Sequence, residues 1–97
     1  MTDAPSILYK AAQTILDRAR ERDLPVERSM NRAVNVFNTL TGSALSETQG
    51  WLFMTVLKLT RATAGKLNTD DLLDAAAYVA LTLEAEVNNL DRGPYDA

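Results

Sequence analysis

Two pairs of opposite charges at matching spacing are the residues of this sequence most suited to chemistry. Lys58 and Arg61 lie three positions apart in a run of mostly apolar residues, and Asp71 and Asp74 repeat that spacing shortly afterwards. On α-helices the members of each pair share one face. Lysine and arginine bind phosphate and carboxylate groups, while aspartate binds hard cations such as Mg²⁺. The pattern therefore predicts either ion pairs between two adjacent helices or a polar ligand site between them.

The ion-pair interpretation is the simpler one, because charges beside a largely apolar helix must be paired. The functional alternative is a phosphate clamp, in which Lys58 and Arg61 bind a nucleotide directly while Asp71 and Asp74 orient them. Tyr78 follows Asp74 by one helical turn and is within reach of Lys58. Its ring is expected to pack and its hydroxyl to bond a charged neighbour, with base stacking as the alternative.

A metal site is the third possibility for the same acids. Asp70, Asp71 and Asp74 are the candidate ligands, with Glu47 or Glu84 as possible additions. The chain has no cysteine and no histidine, which excludes disulfides, thiolate chemistry and the usual structural zinc sites. A bound metal would therefore be Mg²⁺ or Mn²⁺ on oxygen ligands. We favour no cofactor.

Length, composition and net charge limit the classes of protein to which this chain can belong. The 97 residues suit one domain, 46% of them are hydrophobic, and the net charge is −3 with a pI near 4.8. An acidic chain without a basic run argues against binding to duplex DNA or RNA. The start of the chain has no signal-peptide pattern, and the longest apolar run, 51–57, is too short to cross a bilayer. We expect a cytoplasmic protein with no membrane partner.

Helical periodicity and capping signals organise the whole chain, and no strand signal is present. Asp3 with Pro5 predicts a helix start, Ser46 with Gln49 fits a capping box, and Gly42 is suited to a helix stop. The predicted helices cover about 5–22, 29–41, 47–64 and 70–88, followed by a tail at 89–97. We assigned the break after the first helix to Pro25, the end of the third to Gly65 and the start of the fourth to Asn68 or Thr69.

The first two helices are amphipathic. Their predicted inward residues are Leu8, Ala11, Ala12, Ile15, Leu16 and Ala19 in the first, and Met30, Ala33, Val34, Phe37 and Leu40 in the second. The arginines around them are Arg18, Arg20, Arg22, Arg28 and Arg32. Because acids interleave with these arginines, they are expected on solvated faces, with a partner-binding rim as the alternative.

The third helix is apolar on most sides, so it should be surrounded by others. Trp51, at its start, is expected in the core or in a subunit interface. Together the four helices predict an all-α antiparallel bundle. The two broad apolar helices exceed what one copy can cover, which predicts a homodimer that buries part of the third and fourth helices.

The third and fourth helices resemble small phage and prophage proteins of uncharacterised function that are grouped with the all-α MazG-like NTP pyrophosphohydrolases. That group carries a pattern like LLKxxR, a short turn, and then DNxxDxAGYxALxxE. Here the corresponding segments are LKLTR at 57–61 and DDLLDAAAYVAL at 70–81, with Glu84 after them. Asp71 stands where the group often has Asn, and Ala77 where it has Gly. The resemblance covers about residues 30–86; MNRAVNVFNTLTG is similar to the group's second helix, whereas DLPVERS lacks its glycine-bearing turn.

The resemblance implies a comparison with the catalytic MazG-like enzymes, whose acids lie in EExxE on one helix and ExxD on the next. Those carboxylates hold Mg²⁺, which neutralises the triphosphate and activates water. In this chain ExxD falls on Asp71 and Asp74, while EExxE falls on Leu57, Lys58 and Arg61, where every acid is replaced. The sequence therefore predicts a MazG-like protein without metal-dependent hydrolysis that binds a nucleotide or a protein partner. The alternatives are an active Mg²⁺-dependent nucleotide pyrophosphohydrolase and a pure interaction factor acting on a host protein.

Overall fold

Four helices and no strand make up the part of the chain that the structure describes. This computed structural model describes the backbone of residues 2–21 and 29–92 and the side chains of residues 2–18 and 29–89. The helices are α1 (Ala4–Glu21), α2 (Ser29–Thr41), α3 (Glu47–Ala62) and α4 (Thr69–Arg92). The predicted all-α class is confirmed. None of these helices is both long enough and apolar enough to cross a bilayer.

The helix starts follow the capping residues. The Asp3 carboxylate accepts the backbone N–H of Ser6 at 2.9 Å at the start of α1, and hydrogen bonds from Ser6 lower the pKa of Asp3. Ser46 and Gln49 form the predicted capping box, with each side chain accepting the other's backbone N–H. Of the two cap candidates for α4, Asn68 is the one used, since its Oδ1 accepts the backbone N–H of Asp71 at 3.1 Å.

The helix ends agree less well with the prediction. Gly42 stops α2 in the left-handed conformation, at φ 71°, as expected. By contrast α3 ends at Ala62 rather than 64, because Thr63 is already its C-cap and Gly65 lies beyond it. The α4 helix continues to Arg92, so the prediction of a tail from residue 89 is wrong for its first part. The predicted end of α1 at Arg22 and the break at Pro25 lie outside the described residues.

The α3–α4 hairpin is the centre of the fold. The two helices pack along their length, α1 packs on α4, and α2 packs on α3. One row of α3 residues faces α4, and small residues of α4 meet it, which lets the helices approach closely. The buried residues of the hairpin are Gly50, Trp51, Thr55, Ala62, Asp71, Ala75, Ala77 and Leu81. Trp51 is only 5% exposed, so its expected place in the core is confirmed.

The inward faces predicted for α1 and α2 are only partly right. Ala11 and Val34 are buried, but Leu8 and Leu16 of α1 and Phe37 of α2 are exposed. Ala12, Ala33 and Leu40 are exposed as well, while the side chain of Ala19 lies outside the described residues. The physical reason is that each of these helices packs mainly on a single neighbour, which covers a narrow stripe and leaves the rest of the apolar face bare.

One face of the hairpin is uncovered. Both α1 and α2 lie on the same side of it, since residues of all four helices line one cavity there. On the opposite side, rows with a spacing of three or four residues leave large apolar side chains between 44% and 62% exposed. We call this surface the outer hairpin face; it consists of Leu52, Val56, Leu59, Val79 and Leu83. It contains no charged residue.

Gly50 sets the distance between α2 and α3. A Cβ at this position would lie 2.5 Å from the Met30 sulfur and 2.8 Å from Cγ1 of Val34. Val34 is buried and β-branched, so it has little freedom to move away. The glycine is therefore required by the close approach of two helices rather than by backbone conformation.

Replacing Gly50 by alanine should destabilise the fold. Overpacking against Val34 costs about 1–3 kcal/mol, which exceeds the roughly 0.5–1 kcal/mol that alanine contributes to a helix interior. The measurement is the free energy of unfolding from urea titration followed by circular dichroism. Gly65→Ala is the matched control, because nothing lies within 4 Å of its added Cβ. Equal stability of the two variants would contradict this role for Gly50.

Candidate functional site

The four charged residues singled out by their spacing meet at one end of the hairpin. Lys58 Nζ lies 3.1 Å from Oδ2 of Asp74 and 3.8 Å from Oδ1 of Asp71, and Arg61 Nε lies 3.9 Å from Oδ2 of Asp71. The predicted ion pairs are therefore confirmed. Their environments differ, because the Lys58 side chain is 14% exposed and that of Arg61 is 59% exposed. Lys58 is the less exposed centre of the cluster, and Arg61 is its outer member.

Asp71 is the most buried of these acids, and local structure makes its burial tolerable. It lies in the first turn of α4, where the positive end of the helix dipole favours a carboxylate. Asn68 caps its backbone N–H, so that donor is not left unsatisfied. Lys58 and Arg61 approach its two carboxylate oxygens from α3. No buried side-chain nitrogen or oxygen of the described residues lacks a hydrogen-bond partner.

Arg18 joins the cluster from α1, which corrects its expected place on a solvated face. Its Nη2 lies 3.6 Å from Oδ1 of Asp74, and its Nη1 donates to the hydroxyl of Tyr78 at 3.4 Å. The sequence does contain a signal for this position. Arg18 follows Ala11 and Ile15 at helical spacing on the inner face of α1, so it was the arginine in register with buried residues. Arg32 is exposed as expected, whereas the side chains of Arg20, Arg22 and Arg28 lie outside the described residues.

Two aromatic rings connect the charge cluster to the core. The rings of Trp51 and Tyr78 stack with centroids 5.7 Å apart and an interplanar angle of 28°. The Trp51 indole Nε1 donates to Oε2 of Glu47 at 3.2 Å, which satisfies a buried donor. The Tyr78 hydroxyl was expected to reach Lys58, but its partner is Arg18. The tyrosine thus packs its ring and bonds a charged neighbour, as the simpler interpretation predicts.

The acids considered as metal ligands do not converge. Asp70 is exposed and takes no part in the ion pairs of the cluster that the structure describes. Glu47 and Glu84 line a separate polar cleft together with Asn31 and Asn35. Within the described residues, no group of three or more acids could hold a metal ion. Asp71 and Asp74 are two carboxylates with a lysine between them, and that donor set does not fit Mg²⁺.

A cavity of about 180 Å³ lies beside the cluster, between the hairpin and the two outer helices. The stacked rings of Trp51 and Tyr78 contribute to its wall, and Met30 and Met54 add flexible apolar side chains. Arg18 lines it as well and is the one charged residue among the described residues that do so. Sequence reasoning missed this cavity, because its wall is assembled from all four helices.

Residues 6–86 match the family model described as domain of unknown function (DUF6378). The matched segment is most of the chain. This protein belongs to the DUF6378 family. No curated protein and no solved structure matches the chain. In this member of the family, the charge cluster and the wall of the cavity both lie inside the matched segment.

Removing Asp74 should destabilise the protein through the buried end of the cluster. Asp74→Ala leaves Lys58 with the more distant Asp71 and takes a carboxylate from Arg18, so we expect a loss of about 1–3 kcal/mol. The free energy of unfolding from urea titration at neutral pH measures it. Arg61→Ala is the matched control and should cost less than about 1 kcal/mol, because Arg61 is largely exposed. Unchanged stability of Asp74→Ala would refute the ion-pair role.

Proposed function

We propose that this chain is a MazG-like helical protein of the phage and prophage group that acts as a homodimer. It binds its ligand or partner without metal-dependent pyrophosphohydrolysis. The observation that carries the proposal is the position of Lys58, whose ammonium lies between the carboxylates of Asp71 and Asp74. The related enzymes need acids where this chain has Lys58 and Arg61.

The charge balance of the cluster supports this loss of metal chemistry. A divalent cation between Asp71 and Asp74 would have to displace the Lys58 ammonium and would still lie near Arg18 and Arg61. Like charges at such distances repel one another strongly in a partly buried site. Two carboxylates that are already neutralised by bases give Mg²⁺ neither enough oxygen ligands nor enough negative charge.

The outer hairpin face supports the homodimer. A helix that is apolar on most sides is normally enclosed, yet Leu52, Val56 and Leu59 of α3 stay exposed although α2 and α4 pack on this helix. We assign this face to a second copy of the chain, because an uncharged apolar surface is complementary to itself across a twofold axis. Two hairpins packed through Leu52, Val56 and Val79 would form a four-helix core. In this proposal, the hairpin of the second copy covers the outer hairpin face of the first.

A charge in the middle of the outer hairpin face should separate the subunits. Val56→Asp would bury two unpaired carboxylates at a twofold contact, whose cost is several kcal/mol. Light scattering after gel filtration should give twice the 10.6 kDa chain mass for the wild type and a lower mass for the variant at micromolar concentration. Leu40→Asp is the control, since Leu40 is exposed on α2, away from this face. A monomeric wild type would overturn the dimer.

Nucleotide binding is the ligand role that we favour over a host-protein partner. The supporting observation is Arg61, which is 59% exposed and only 3.9 Å from its carboxylate partner. A phosphate oxygen would give its guanidinium shorter, charge-assisted hydrogen bonds. Lys58 adds a positive charge one turn away, at the centre of the same cluster. Nucleoside triphosphates are cytoplasmic, so the proposal includes a cytoplasmic location.

Calorimetric titration with dUTP, dCTP and ATP, each with and without Mg²⁺, tests the nucleotide role. We expect binding that does not require Mg²⁺, no pyrophosphate in the samples afterwards, and affinity about ten-fold weaker in Arg61→Gln, from a lost charged hydrogen bond. Arg32→Gln, at another exposed arginine, should bind like the wild type. Pyrophosphate released only with Mg²⁺ would show an active hydrolase instead. If no nucleotide binds under any condition, the nucleotide role is wrong and a protein partner becomes the favoured ligand.

A further inference from the structure

We propose that the cavity between the hairpin and the two outer helices binds a small aromatic acid, a single planar ring that carries a carboxylate. This site is distinct from the exposed arginine assigned to phosphate and from the outer hairpin face assigned to the second copy. The two proposals can therefore fail separately. Three properties of the cavity carry the inference: its size, its wall and its one charge.

The size of the cavity selects a single ring. Its volume is about 180 Å³. A buried apolar cavity of about 150 Å³ stays dry and accommodates benzene, so this one has room for one ring with a small substituent. Size alone thus points to a monocyclic ligand.

The wall of the cavity is suited to a flat, polarisable ring. Trp51 and Tyr78 stack on each other, and Trp51 is held in place by its hydrogen bond to Glu47. Met30 and Met54 line the cavity with them, and thioethers adapt their shape to aromatic rings and contact the ring edges favourably. Glu47 itself lines the separate polar cleft rather than this cavity.

The charge of the cavity selects an anion. Arg18 is the one charged residue among its described lining residues, and its side chain is 41% exposed, so it connects the cavity with solvent. Its hydrogen bond to the Tyr78 hydroxyl holds the guanidinium at the wall. A guanidinium has five donors in a fork that matches a carboxylate. Its contact with Asp74 is long, at 3.6 Å, and Asp74 also pairs with Lys58 at 3.1 Å, so Arg18 is not the only base that neutralises this carboxylate.

The fluorescence of Trp51 is the direct reporter, because the chain contains one tryptophan. Wild-type protein is titrated with benzoate, with its uncharged counterpart benzyl alcohol, and with acetate, which has the charge without the ring. We expect a saturable change with benzoate, about ten-fold weaker binding of benzyl alcohol, and no change with acetate, since both ring and charge contribute. A change that is linear in benzoate concentration, or equal affinities for benzoate and benzyl alcohol, would overturn the proposal.

Variants of the two cluster arginines locate the anion contact. Arg18→Gln should bind benzoate no better than benzyl alcohol while its affinity for benzyl alcohol stays at the wild-type value, which also shows that the cavity is intact. Arg61→Gln removes a base from the same cluster outside the cavity and should leave benzoate binding unchanged. An equal loss in both variants would overturn the site.

A second substitution covers the case in which Arg18→Gln does not fold. Arg18→Lys keeps the charge and loses the fork, so its benzoate affinity should fall between those of the wild type for benzoate and for benzyl alcohol. Equal affinities of Arg18→Lys for benzoate and benzyl alcohol would contradict the proposed ligand class.

Discussion

The neutralisation of Lys58 is the constraint on which the rest of this structure depends. Lys58 lies on the side of α3 that faces α4, in a row with Trp51, Thr55 and Ala62, so its ammonium must be paired inside the hairpin. Asp71 and Asp74, in the first two turns of α4, can pair with Lys58 only when the start of α4 lies beside the second half of α3. The ion pairs therefore set the register of the hairpin. With that register Trp51 meets Tyr78, and the inner face of α4 carries Asp74 within reach of Arg18.

Small side chains make many of the contacts within the hairpin. A single chain therefore buries little apolar area in its core. Ala62, Ala75 and Ala77 are buried at its contacts and let the helices approach closely, but each contributes little apolar area. No large side chain of the described residues is fully buried. Apart from Trp51 and Leu81, many of the large apolar side chains are exposed, among them Leu52, Val56 and Phe37. The proposed partner copy would bury additional apolar area on the outer hairpin face, which a single chain leaves exposed.

Capping patterns and helical periodicity predicted much of this fold. They could not predict which helix packs against which face of another helix. Capping chemistry placed the starts at Asp3 and Ser46, and the spacing of Lys58 with Asp74 predicted their ion pair. Periodicity shows which residues share a face, but it cannot say which face a neighbour covers. That is why Phe37 was expected inside and is exposed, and why Arg18 was expected in solvent and contacts Asp74. The continuation of α4 past residue 88 has a different origin, because exposed asparagines such as Asn89 weaken a helix without ending it.

The three bases of the cluster differ in exposure: Lys58 is mostly covered, whereas Arg18 and Arg61 are more exposed. We therefore assign a structural role to Lys58 and the proposed binding roles to the two arginines. Lys58 has the shortest contact and little exposure, so substituting it would mainly change stability. Arg61 and Arg18 have contacts of 3.9 Å and 3.6 Å and reach in different directions, one toward solvent and the other along the cavity wall. Under the two binding proposals, Asp71 and Asp74 would each keep their contact with Lys58 while Arg61 or Arg18 binds a ligand. A metal site could not release its ligands in this way, because each departing carboxylate would weaken the hold on the ion. Under the proposed function, Lys58 and Arg61 stand where the related enzymes have metal-binding acids, and the exposed Arg61 would bind the ligand directly.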